Sequence, residues 1–436
     1  MAINLGYFFF KGPDVFIEGI MLYGLRAFVA TFIFQVTFYF FDLYDLSKKL
    51  PAAETITRTV QAFGVACILL AIVYYLFPVF LIHSAIFWNG YFIVCICVFL
   101  WRFLYSYVLD RHMFTQPILI VGTGKMASEI AVDVTDRHDS GYQIVGFVGE
   151  GNPACSLFKD IPFFPKAEGL LDLCCKQKVE KVVVALDDRR GATPVEELLS
   201  CKLGGITIED GVGFYEEITG KIIVEKVNPA WLIFAEGFKK GRISAFGKRS
   251  IDIFFSLIGL LVFLPISLVS ALIIKMESPG EIFYRQERVG AKGKGFEVIK
   301  FRSMGADAEK DGPVWAMKND MRVTRFGSFI RKTRIDEIPQ MWNVLRGEMS
   351  FVGPRPERPV FVEQLNKKIP YYSLRHSVKP GITGWAQVCY PYGASEEDAL
   401  RKLEYDLYYI KNMTFQMDLW IIFQTIKTVL FRKGSR

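Results

Sequence analysis

The longest uncharged stretch of the chain runs from Thr59 to Trp101, and no Lys, Arg, Asp or Glu occurs in these 43 residues. One helix needs about 20 apolar residues to cross a bilayer, so this stretch is long enough for two crossings. The sequence therefore predicts two membrane spans, near residues 62–83 and 86–108. Any fold for this chain has to place these residues in a membrane.

The break between the two spans is marked by Pro78, His83 and the Asn89-Gly90 pair, because proline and Asn-Gly interrupt helices. An earlier stretch, residues 16–41, is aromatic and apolar but contains two charged residues. It predicts a third, weaker span.

Basic residues in the short loops predict the orientation of the spans. Lys48, Lys49 and Arg58 precede the strong pair, Arg111 follows it, and the turn between the spans has no basic residue. We expect both flanks in the cytosol and the turn on the outer side of the membrane. The N-terminus lacks a basic region followed by a cleavage site, so a removable signal peptide is not expected.

The overall composition is typical of a chain that is partly membrane-embedded and partly soluble. Hydrophobic residues make up 51% of the chain and charged residues 22%, with a mean hydropathy of +0.26. This composition excludes a disordered chain and a small disulfide scaffold. The eight cysteines form no CxxC pair and the four histidines are far apart in the sequence, so neither a zinc site nor a histidine-based triad is expected.

The net charge of +7 is unevenly distributed: basic residues outnumber acidic ones in residues 239–436, whereas the rest of the chain is net acidic. A basic surface suits a protein that handles phosphates or lies on an anionic membrane face. An ordinary solvated lysine surface would give the same count, so both interpretations stay open.

Residues 113–240 alternate apolar strands with helical patterns, which predicts a Rossmann-like α/β domain. The strands are expected at 117–121, 143–148 and 181–186. The first strand leads into the turn Gly122-x-Gly124-x-x-Ala127, which can hold a pyrophosphate on free backbone N–H groups at a helix N-terminus. The motif alone is weak evidence, so a nucleotide site and a structural or regulatory role both remain hypotheses.

A further apolar segment, Ile253–Ile274, lies between basic residues at both ends and has Pro265 at its centre. Proline removes a backbone hydrogen bond and bends a helix. The segment 248–276 is either an ordinary span with a tolerated proline or a re-entrant helix that bends at Pro265 and returns to the cytosolic face.

The C-terminal region carries dense clusters of charged residues. An acidic pair stands inside the apolar frame Ile335-Asp336-Glu337-Ile338, which predicts partial burial, and a buried acid pair needs cations or a metal. Arg355 lies between two prolines in a stiff loop that suits phosphate oxygens. These residues form either a phosphate-handling site or an internal ion-pair network.

Four of these clusters carry a resemblance that covers residues 245–436. They occur in the order Lys300-Phe-Arg302-Ser-Met, Asp336-Glu337-Ile-Pro-Gln, Gly353-Pro-Arg355-Pro356 and Lys379-Pro-Gly-Ile-Thr-Gly-Trp385-Ala-Gln. The region resembles the bacterial sugar transferase family, the polyprenyl-phosphate sugar-1-phosphate transferases that begin exopolysaccharide, capsule and O-antigen synthesis. The N-terminal helices and the Rossmann-like domain are similar to the long branch of that family.

The resemblance implies an enzyme that transfers hexose 1-phosphate from a nucleotide diphosphate sugar, with UDP-hexose as the expected donor, to polyprenyl phosphate. Asp336 and Glu337 match the family's catalytic dyad, and Arg355 its phosphate-binding arginine. It also favours the re-entrant form of the Pro265 helix. Further phosphate-binding candidates are Lys300, Arg302, Arg288 and Arg334.

The expected cofactor is Mg²⁺ or a similar divalent cation held by Asp336, because the donor brings a diphosphate that needs neutralising. The expected partners are the nucleotide sugar, the polyprenyl phosphate lipid and the membrane. No nucleic acid is expected, and a homodimer is left open.

The predicted fold class is a mixed membrane protein. It has N-terminal transmembrane helices (1–112), a Rossmann-like α/β middle domain (113–240) and a mainly α monotopic catalytic domain with a re-entrant helix (241–436). Two rival functions remain: a membrane-anchored nucleotide-sugar dehydratase or epimerase, whose Tyr-x-x-x-Lys pair is missing after Gly124, and a non-catalytic assembly scaffold.

Overall fold

The computed structural model describes residues 20–45, 51–82, 84–110, 115–137, 139–149, 161–165, 169–187, 194–226, 241–305, 321–391, 393 and 395–430. Contacts divide the chain into two compact units, Met1–Phe214 and Tyr215–Arg436. The predicted domain boundaries, at 112/113 and 240/241, lie outside the described residues or at their edge, and the three-domain division stays a prediction.

In the part of the chain that the structure describes, three N-terminal helices are each long and apolar enough to cross a membrane, in agreement with the three predicted spans. They are α1 (Ile20–Phe40), α2 (Ala52–Leu76) and α3 (Ser84–Asp110). Aromatic rings join them, since the Phe63 ring of α2 lies 5.0 Å from the Phe38 ring of α1 and 5.1 Å from the Tyr91 ring of α3.

The bounds predicted for the span that corresponds to α2, residues 62–83, were wrong. Helix α2 begins ten residues earlier and ends at Leu76, because Pro78 cannot continue a helix and starts a 3-10 turn instead. The Asn89-Gly90 pair was also wrong as a break, since it lies inside α3. There the Asn89 side-chain amide donates to the carbonyl of Ala85 at 2.9 Å. His83 and residues 16–19 lie outside the described residues.

A parallel sheet with helices follows, as predicted. The five strands lie in the order β3-β2-β1-β4-β5 and all pair in parallel. Their bounds are β1 Gln116–Val121, β2 Tyr142–Gly149, β3 Phe163–Pro165, β4 Lys181–Val184 and β5 Thr207–Asp210. The helices are α4 Lys125–Asp136, α5 Leu170–Lys176, α6 Val195–Leu203 and α7 Gly211–Thr219.

The central strands are continuous apolar runs because both of their faces are covered. Ile118, Leu119 and Ile120 of β1 and Val182 and Val183 of β4 have no measurable solvent exposure. The sequence analysis missed β3 and β5, which are short edge strands, and β5 contains two acidic residues. The third predicted strand ends at Val184 rather than at 186.

The C-terminal unit contains two consecutive helices, α8 (Arg242–Val262) and α9 (Leu264–Glu277), which meet at an angle of 60°. The break falls at Phe263, two residues before Pro265, which lies in the first turn of α9. This position follows from the proline ring, which obstructs the helix on its N-terminal side.

The rest of this unit is mostly helical. A hairpin of β6 (Phe283–Val289) and β7 (Gly295–Phe301) and a parallel pair of β8 (Ser350–Val352) and β9 (Gly381–Thr383) are its strands among the described residues. The helices are α10 Arg325–Lys332, α11 Gln340–Arg346, α12 Pro359–Lys368, α13 Trp385–Cys389, α14 Glu396–Lys411 and α15 Phe415–Leu430.

Candidate active site

The acidic pair lies in a 3-10 turn, Ile335–Glu337, between α10 and α11. Arg334 starts this turn with a left-handed backbone (φ +59°), a conformation that costs free energy in a non-glycine residue and is often found at functional sites. Ile338 packs against a small apolar cluster. Asp336 and Glu337 are each 8% exposed, which confirms the burial predicted from the flanking isoleucines.

One oxygen of Glu337 is shared by three cations. Its Oε1 lies 2.9 Å from Nη2 of Arg355, 3.1 Å from Nζ of Lys300 and 3.5 Å from Nη1 of Arg334. Burial alone would raise the pKa of Glu337, but the cations, with Lys300 contributing most, hold that pKa well below its usual range. Glu337 is therefore a carboxylate at neutral pH.

Asp336 has a different environment, although it is the neighbouring residue. Its Oδ1 is buried and has no hydrogen-bond partner among the described residues. Burial, and next the negative charge of Glu337, raise the pKa of Asp336 to about 6. A buried carboxylate oxygen without a donor is poorly stabilised as an anion, and it is available to react or to bind a cation.

Lys300 reaches the dyad from the β6–β7 hairpin. It lies opposite Tyr284 in that hairpin, so the side chains of Tyr284, Gln286 and Arg288 share its face of the sheet. Burial lowers the pKa of Lys300, and the Arg355 cation acts in the same direction. The α11 helix that follows the dyad is joined to the same strand, because the buried Asn343 side chain bonds the main chain of β7.

Pairing of β8 with β9 brings two sequence motifs together. Val352 pairs with Thr383, so the Arg355 loop lies against the Lys379–Gln387 segment. The backbones approach closely: a Cβ on Gly353 would stand 2.4 Å from the Lys379 carbonyl oxygen. Glycine is required there for space.

Two guanidinium groups hold consecutive carbonyls of this loop. Arg288 donates to the carbonyl of Pro356 at 3.1 Å, and Arg375 donates to the carbonyl of Arg355 at 3.0 Å. Arg375 is 6% exposed and forms an ion pair with the buried Asp406 at 2.9 Å. Arg288, predicted to bind phosphate, thus contacts the loop and also lines the cavity described below, so its phosphate role stays a prediction.

Sequence reasoning missed Arg375 and Asp406. Neither belongs to a cluster that points to phosphate chemistry, and Arg375 reaches a carbonyl 20 residues away. The only signal was an arginine within a Tyr-rich segment before Pro380.

Arg302 was also a phosphate-binding candidate, and the structure places it at the end of α9. Its two Nη atoms donate to the carbonyls of Pro279 and Ser278, at 2.9 and 2.7 Å. Cations at a helix C-terminus satisfy free carbonyls and favour the helix dipole. These contacts favour a structural role for Arg302, although its side chain also borders the cavity described next.

A cavity of about 410 Å³ opens beside Asp336. Positively charged side chains dominate its wall. They are Arg288, Lys300, Arg302, Arg322, Arg331, Arg334, Arg355, Arg358, Arg375 and Lys402. Aromatic rings, including Tyr284, Phe361 and Tyr390, complete the wall. This arrangement suits a ligand with several phosphate charges and an apolar or ring-shaped part.

Comparisons with known proteins agree with this geometry. Residues 243–432 match the family model described as bacterial sugar transferase. The chain is 30% identical over 438 residues to an undecaprenyl-phosphate glucose phosphotransferase of Komagataeibacter xylinus, covering 97% of this chain and 80% of that protein. The chain belongs to the bacterial sugar transferase family.

Other members of the bacterial sugar transferase family share part of the chain. A UDP-N-acetylgalactosamine-undecaprenyl-phosphate N-acetylgalactosaminephosphotransferase of Aeromonas hydrophila is 42% identical over 260 residues, which is 59% of this chain and 61% of that protein. The match thus spans less than two thirds of that relative. A UDP-glucose:undecaprenyl-phosphate glucose-1-phosphate transferase of Klebsiella pneumoniae is 44% identical over 190 residues, covering 43% and 41% of the two chains.

The expected Mg²⁺ would need oxygen ligands from the acidic site. Among the described residues no three His, Cys, Asp or Glu side chains converge on one point, so a complete protein cage is not observed in that part of the chain. Mg²⁺ often takes only one or two carboxylates and completes its shell with water and substrate phosphates. The buried Oδ1 of Asp336 fits that requirement.

A second family model, described as CoA-binding domain, matches residues 39–198, which include α2, α3 and most of the parallel sheet. The predicted nucleotide loop lies in the N-terminal unit. Gly122 has a φ of +132° and follows β1, Gly124 precedes α4, and Ala127 is fully buried in α4. The acidic pair belongs to the other compact unit.

Proposed function

We propose that this transferase moves a sugar 1-phosphate from a nucleotide diphosphate sugar, with a UDP-hexose as donor, to undecaprenyl phosphate, and releases UMP. The observation that carries the proposal is the pairing of Asp336, whose buried oxygen has no partner in the described structure, with Glu337, which three cations hold ionised. The relatives named above act on such substrates.

The proposed reaction proceeds in two transfers through Asp336. A carboxylate oxygen of Asp336 attacks the phosphorus that bears the sugar, the bond to the bridging oxygen breaks, and UMP leaves with the electron pair. The sugar phosphate is then held as an acyl phosphate. An oxygen of the lipid phosphate attacks the same phosphorus and restores the carboxylate. The soluble donor and the embedded lipid therefore never have to meet.

The neighbouring cations position the phosphates in this scheme. Glu337 gathers Lys300, Arg334 and Arg355 at one point next to Asp336, so that positive charge is ready where the donor's diphosphate must lie. Preorganised cations of this kind stabilise transition-state charge without a further rearrangement. Mg²⁺, when bound, would neutralise the diphosphate, and Asp336 is the residue with an oxygen suited to hold it.

We also propose that α8 and α9 form a re-entrant membrane hairpin, because both ends of the pair dock on the same unit. On the N-terminal side of the bend, the buried Asp252, at the middle of α8, accepts hydrogen bonds from the Ser350 hydroxyl and the Phe351 amide of β8. At the other end, Ile274 of α9 packs with Phe301 and other residues of the dyad's apolar cluster. A spanning helix would carry its two ends to opposite sides of the bilayer.

The length of α9 supports the same interpretation. Helix α9 has 14 residues and is about 21 Å long at 1.5 Å per residue, shorter than a hydrocarbon core of about 30 Å. The surface around the bend is apolar and exposed, as membrane immersion requires. Its exposed residues include Phe254, Leu257, Leu261, Val262, Leu264, Leu268, Val269 and Leu272.

Helix α15 fits the surface of the same membrane leaflet. Phe415 and Trp420 are exposed, whereas Ile421 and Ile422 face the protein core, so the helix is amphipathic and could lie at the headgroup level. We place the catalytic unit on the cytoplasmic face of the bacterial inner membrane, where nucleotide sugars are available.

Cysteine labelling in a cysteine-free background tests this topology. Met276 lies near the end of α9 and is 78% exposed, and Val79, in the turn between α2 and α3, is 61% exposed. A membrane-impermeant maleimide should label Val79→Cys in intact spheroplasts and Met276→Cys only after permeabilisation. Labelling of Met276→Cys from outside would show a spanning helix.

The catalytic proposal is tested by trapping. Purified protein in nanodiscs is incubated with radiolabelled UDP-sugar in the absence of undecaprenyl phosphate, and the reaction is then quenched. The wild type should carry covalent label, and Asp336→Asn should carry none. UDP-glucose, UDP-galactose and their N-acetyl forms are compared by UMP release, since relatives act on both classes. Undiminished UMP release by Asp336→Asn would show that Asp336 is not the nucleophile, and no UMP release by the wild type with any of these donors would leave a scaffold or another enzyme class. Mass photometry of the same samples measures whether the transferase is a homodimer.

A further inference from the structure

The sheet of the N-terminal unit has one place where a ligand is expected. In the strand order β3-β2-β1-β4-β5, the chain direction around the sheet reverses between β1 and β4. Doubly wound sheets bind nucleotides at this switch point, outside the carboxyl ends of the strands. The match to a CoA-binding domain model implies a phosphate-bearing cofactor in the same place.

A side chain of the protein itself occupies this position. Asp187 follows β4, and its carboxylate reaches across to the turn between β1 and α4. Its Oδ2 accepts a hydrogen bond from the amide of Lys125 at 2.8 Å, and its Oδ1 accepts one from the amide of Met126 at 3.2 Å. These N–H groups belong to the first turn of α4, where a phosphate would otherwise bind.

The two glycines of the turn are explained by the same contacts. A Cβ on Gly124 would stand 2.0 Å from Oδ2 of Asp187, and a Cβ on Gly122 would stand 2.3 Å from the carbonyl oxygen of Ala185. Both glycines therefore allow β4 and its following residues to approach the turn. The motif that suggests a nucleotide site is accounted for without a ligand.

We infer that Asp187 is an internal anion that takes the place of a cofactor phosphate, so that this turn is not a nucleotide or CoA site. Two reasons support this inference. The carboxylate already uses two donors of the α4 N-terminus, and its negative charge beside the turn opposes a phosphate. The cofactor implied by the domain model does not fit the residues present.

Binding and thermal unfolding of the full-length protein in nanodiscs test the inference. CoA, NAD and inorganic pyrophosphate at millimolar concentration should neither bind the wild type saturably nor raise its Tm. Asp187→Ala should lower the Tm of the N-terminal unit by about 2–4 °C, and Asp187→Asn by less, because the amide oxygen still accepts hydrogen bonds. Asp136→Ala, at the exposed opposite end of α4, is the matched control and should leave the Tm unchanged.

Pyrophosphate gives a second readout, because it can fill the vacated position. It should raise the Tm of Asp187→Ala and not that of the wild type. The inference is overturned if wild type binds CoA or NAD at one site per chain and Gly124→Ala abolishes the binding. It is equally overturned if Asp187→Ala leaves the Tm unchanged.

Discussion

Asp336 and Glu337 are adjacent in the chain, yet their environments shift their pKa values in opposite directions. Burial raises the pKa of Asp336 to about 6, whereas cations hold that of Glu337 well below its usual range. The cause is geometric: the three cations lie on Oε1 of Glu337, and Oδ1 of Asp336 has no partner among the described residues. Carboxylates separated in this way can take separate roles, one reacting and one positioning.

The first prediction concerns the pH dependence of turnover. Only ionised Asp336 can attack phosphorus, so kcat/KM for the donor should fall about tenfold per pH unit below pH 6. The negative charge of Glu337 helps to raise the pKa of Asp336. In Glu337→Gln that charge is gone, so the remaining activity should begin to fall at a lower pH than it does in the wild type. UMP release between pH 4.5 and 8 measures both. An acid limb at the same pH in the two proteins would contradict the coupling of the pair.

The second prediction concerns stability. The folded pKa of Asp336, about 6, is above that of an unfolded aspartate, about 3.9. Ionisation therefore destabilises the fold as pH rises through this window, and the full cost is present above pH 6. Asp336→Asn should be more stable than the wild type at pH 7.5 by about 2–3 kcal/mol, with the difference vanishing near pH 4.

A control of opposite sign is available in α14. Hydrogen bonds from Ser395, first its hydroxyl and then its amide, lower the pKa of Asp398 in the capping box at the start of that helix. Asp398→Asn should therefore be less stable than the wild type at pH 7.5. Both variants are compared by thermal unfolding in nanodiscs. A stabilised Asp398→Asn would show that the pH argument fails.

The sequence could predict features that depend on a few neighbouring residues. The burial of the dyad follows from Ile335 and Ile338, and the number of N-terminal helices follows from the length of the apolar runs. Each of these features is set by residues close together in the sequence, so a hydrophobic pattern is enough to predict it. The family resemblance added the chemical roles.

Other features depend on contacts between distant parts of the chain. Lys300 and Glu337 are 37 residues apart, and Asp187 and Lys125 are 62 apart. The first pair meets where β7 packs against the dyad's turn, and pairing of β1 with β4 brings the second pair together. No periodicity or spacing encodes such a meeting. The contacts of Arg302 with the end of α9 are of the same kind, and its role at a phosphate stays a prediction.

The third prediction assigns Arg375 a positioning role. It holds the carbonyl of Arg355 at 3.0 Å, so its loss should displace the guanidinium that meets Glu337. Arg375→Lys should lower kcat/KM by about 10- to 100-fold, mainly through a higher donor KM. Asp406→Asn removes the ion pair of Arg375 but keeps the contact with Arg355. Its donor KM should stay near normal; equal rises of the donor KM in both variants would leave Arg375 a purely structural residue.

The fourth prediction separates Arg302 from Arg355. Arg302→Met removes donors to the carbonyls of Ser278 and Pro279, so the Tm should fall while the donor KM changes little. Arg355→Met should raise the donor KM and change the Tm little, because Arg355 lies at the dyad and is partly exposed to the cavity. Thermal unfolding and initial rates on the same preparations give both quantities. A large rise in the donor KM of Arg302→Met would restore its phosphate role.

The last prediction compares the two glycines of the β1–α4 turn. Gly122 has a φ of +132°, and a Cβ there would meet a backbone oxygen, which cannot move without disturbing β4. A Cβ on Gly124 would meet only the tip of the exposed Asp187 side chain, which can rotate away. Gly122→Ala should therefore lower the free energy of unfolding by about 2–4 kcal/mol and Gly124→Ala by only about 1 kcal/mol, the value of a lost helix cap.

Gly213→Ala is the control for both variants: its Cβ meets nothing within 4 Å, and alanine within a helix is favourable. UMP turnover per folded molecule should stay near the wild-type value in all three variants, because the turn and the acidic pair belong to different compact units. A loss of turnover in Gly124→Ala with an unchanged Tm would mean that the turn serves the reaction rather than the fold.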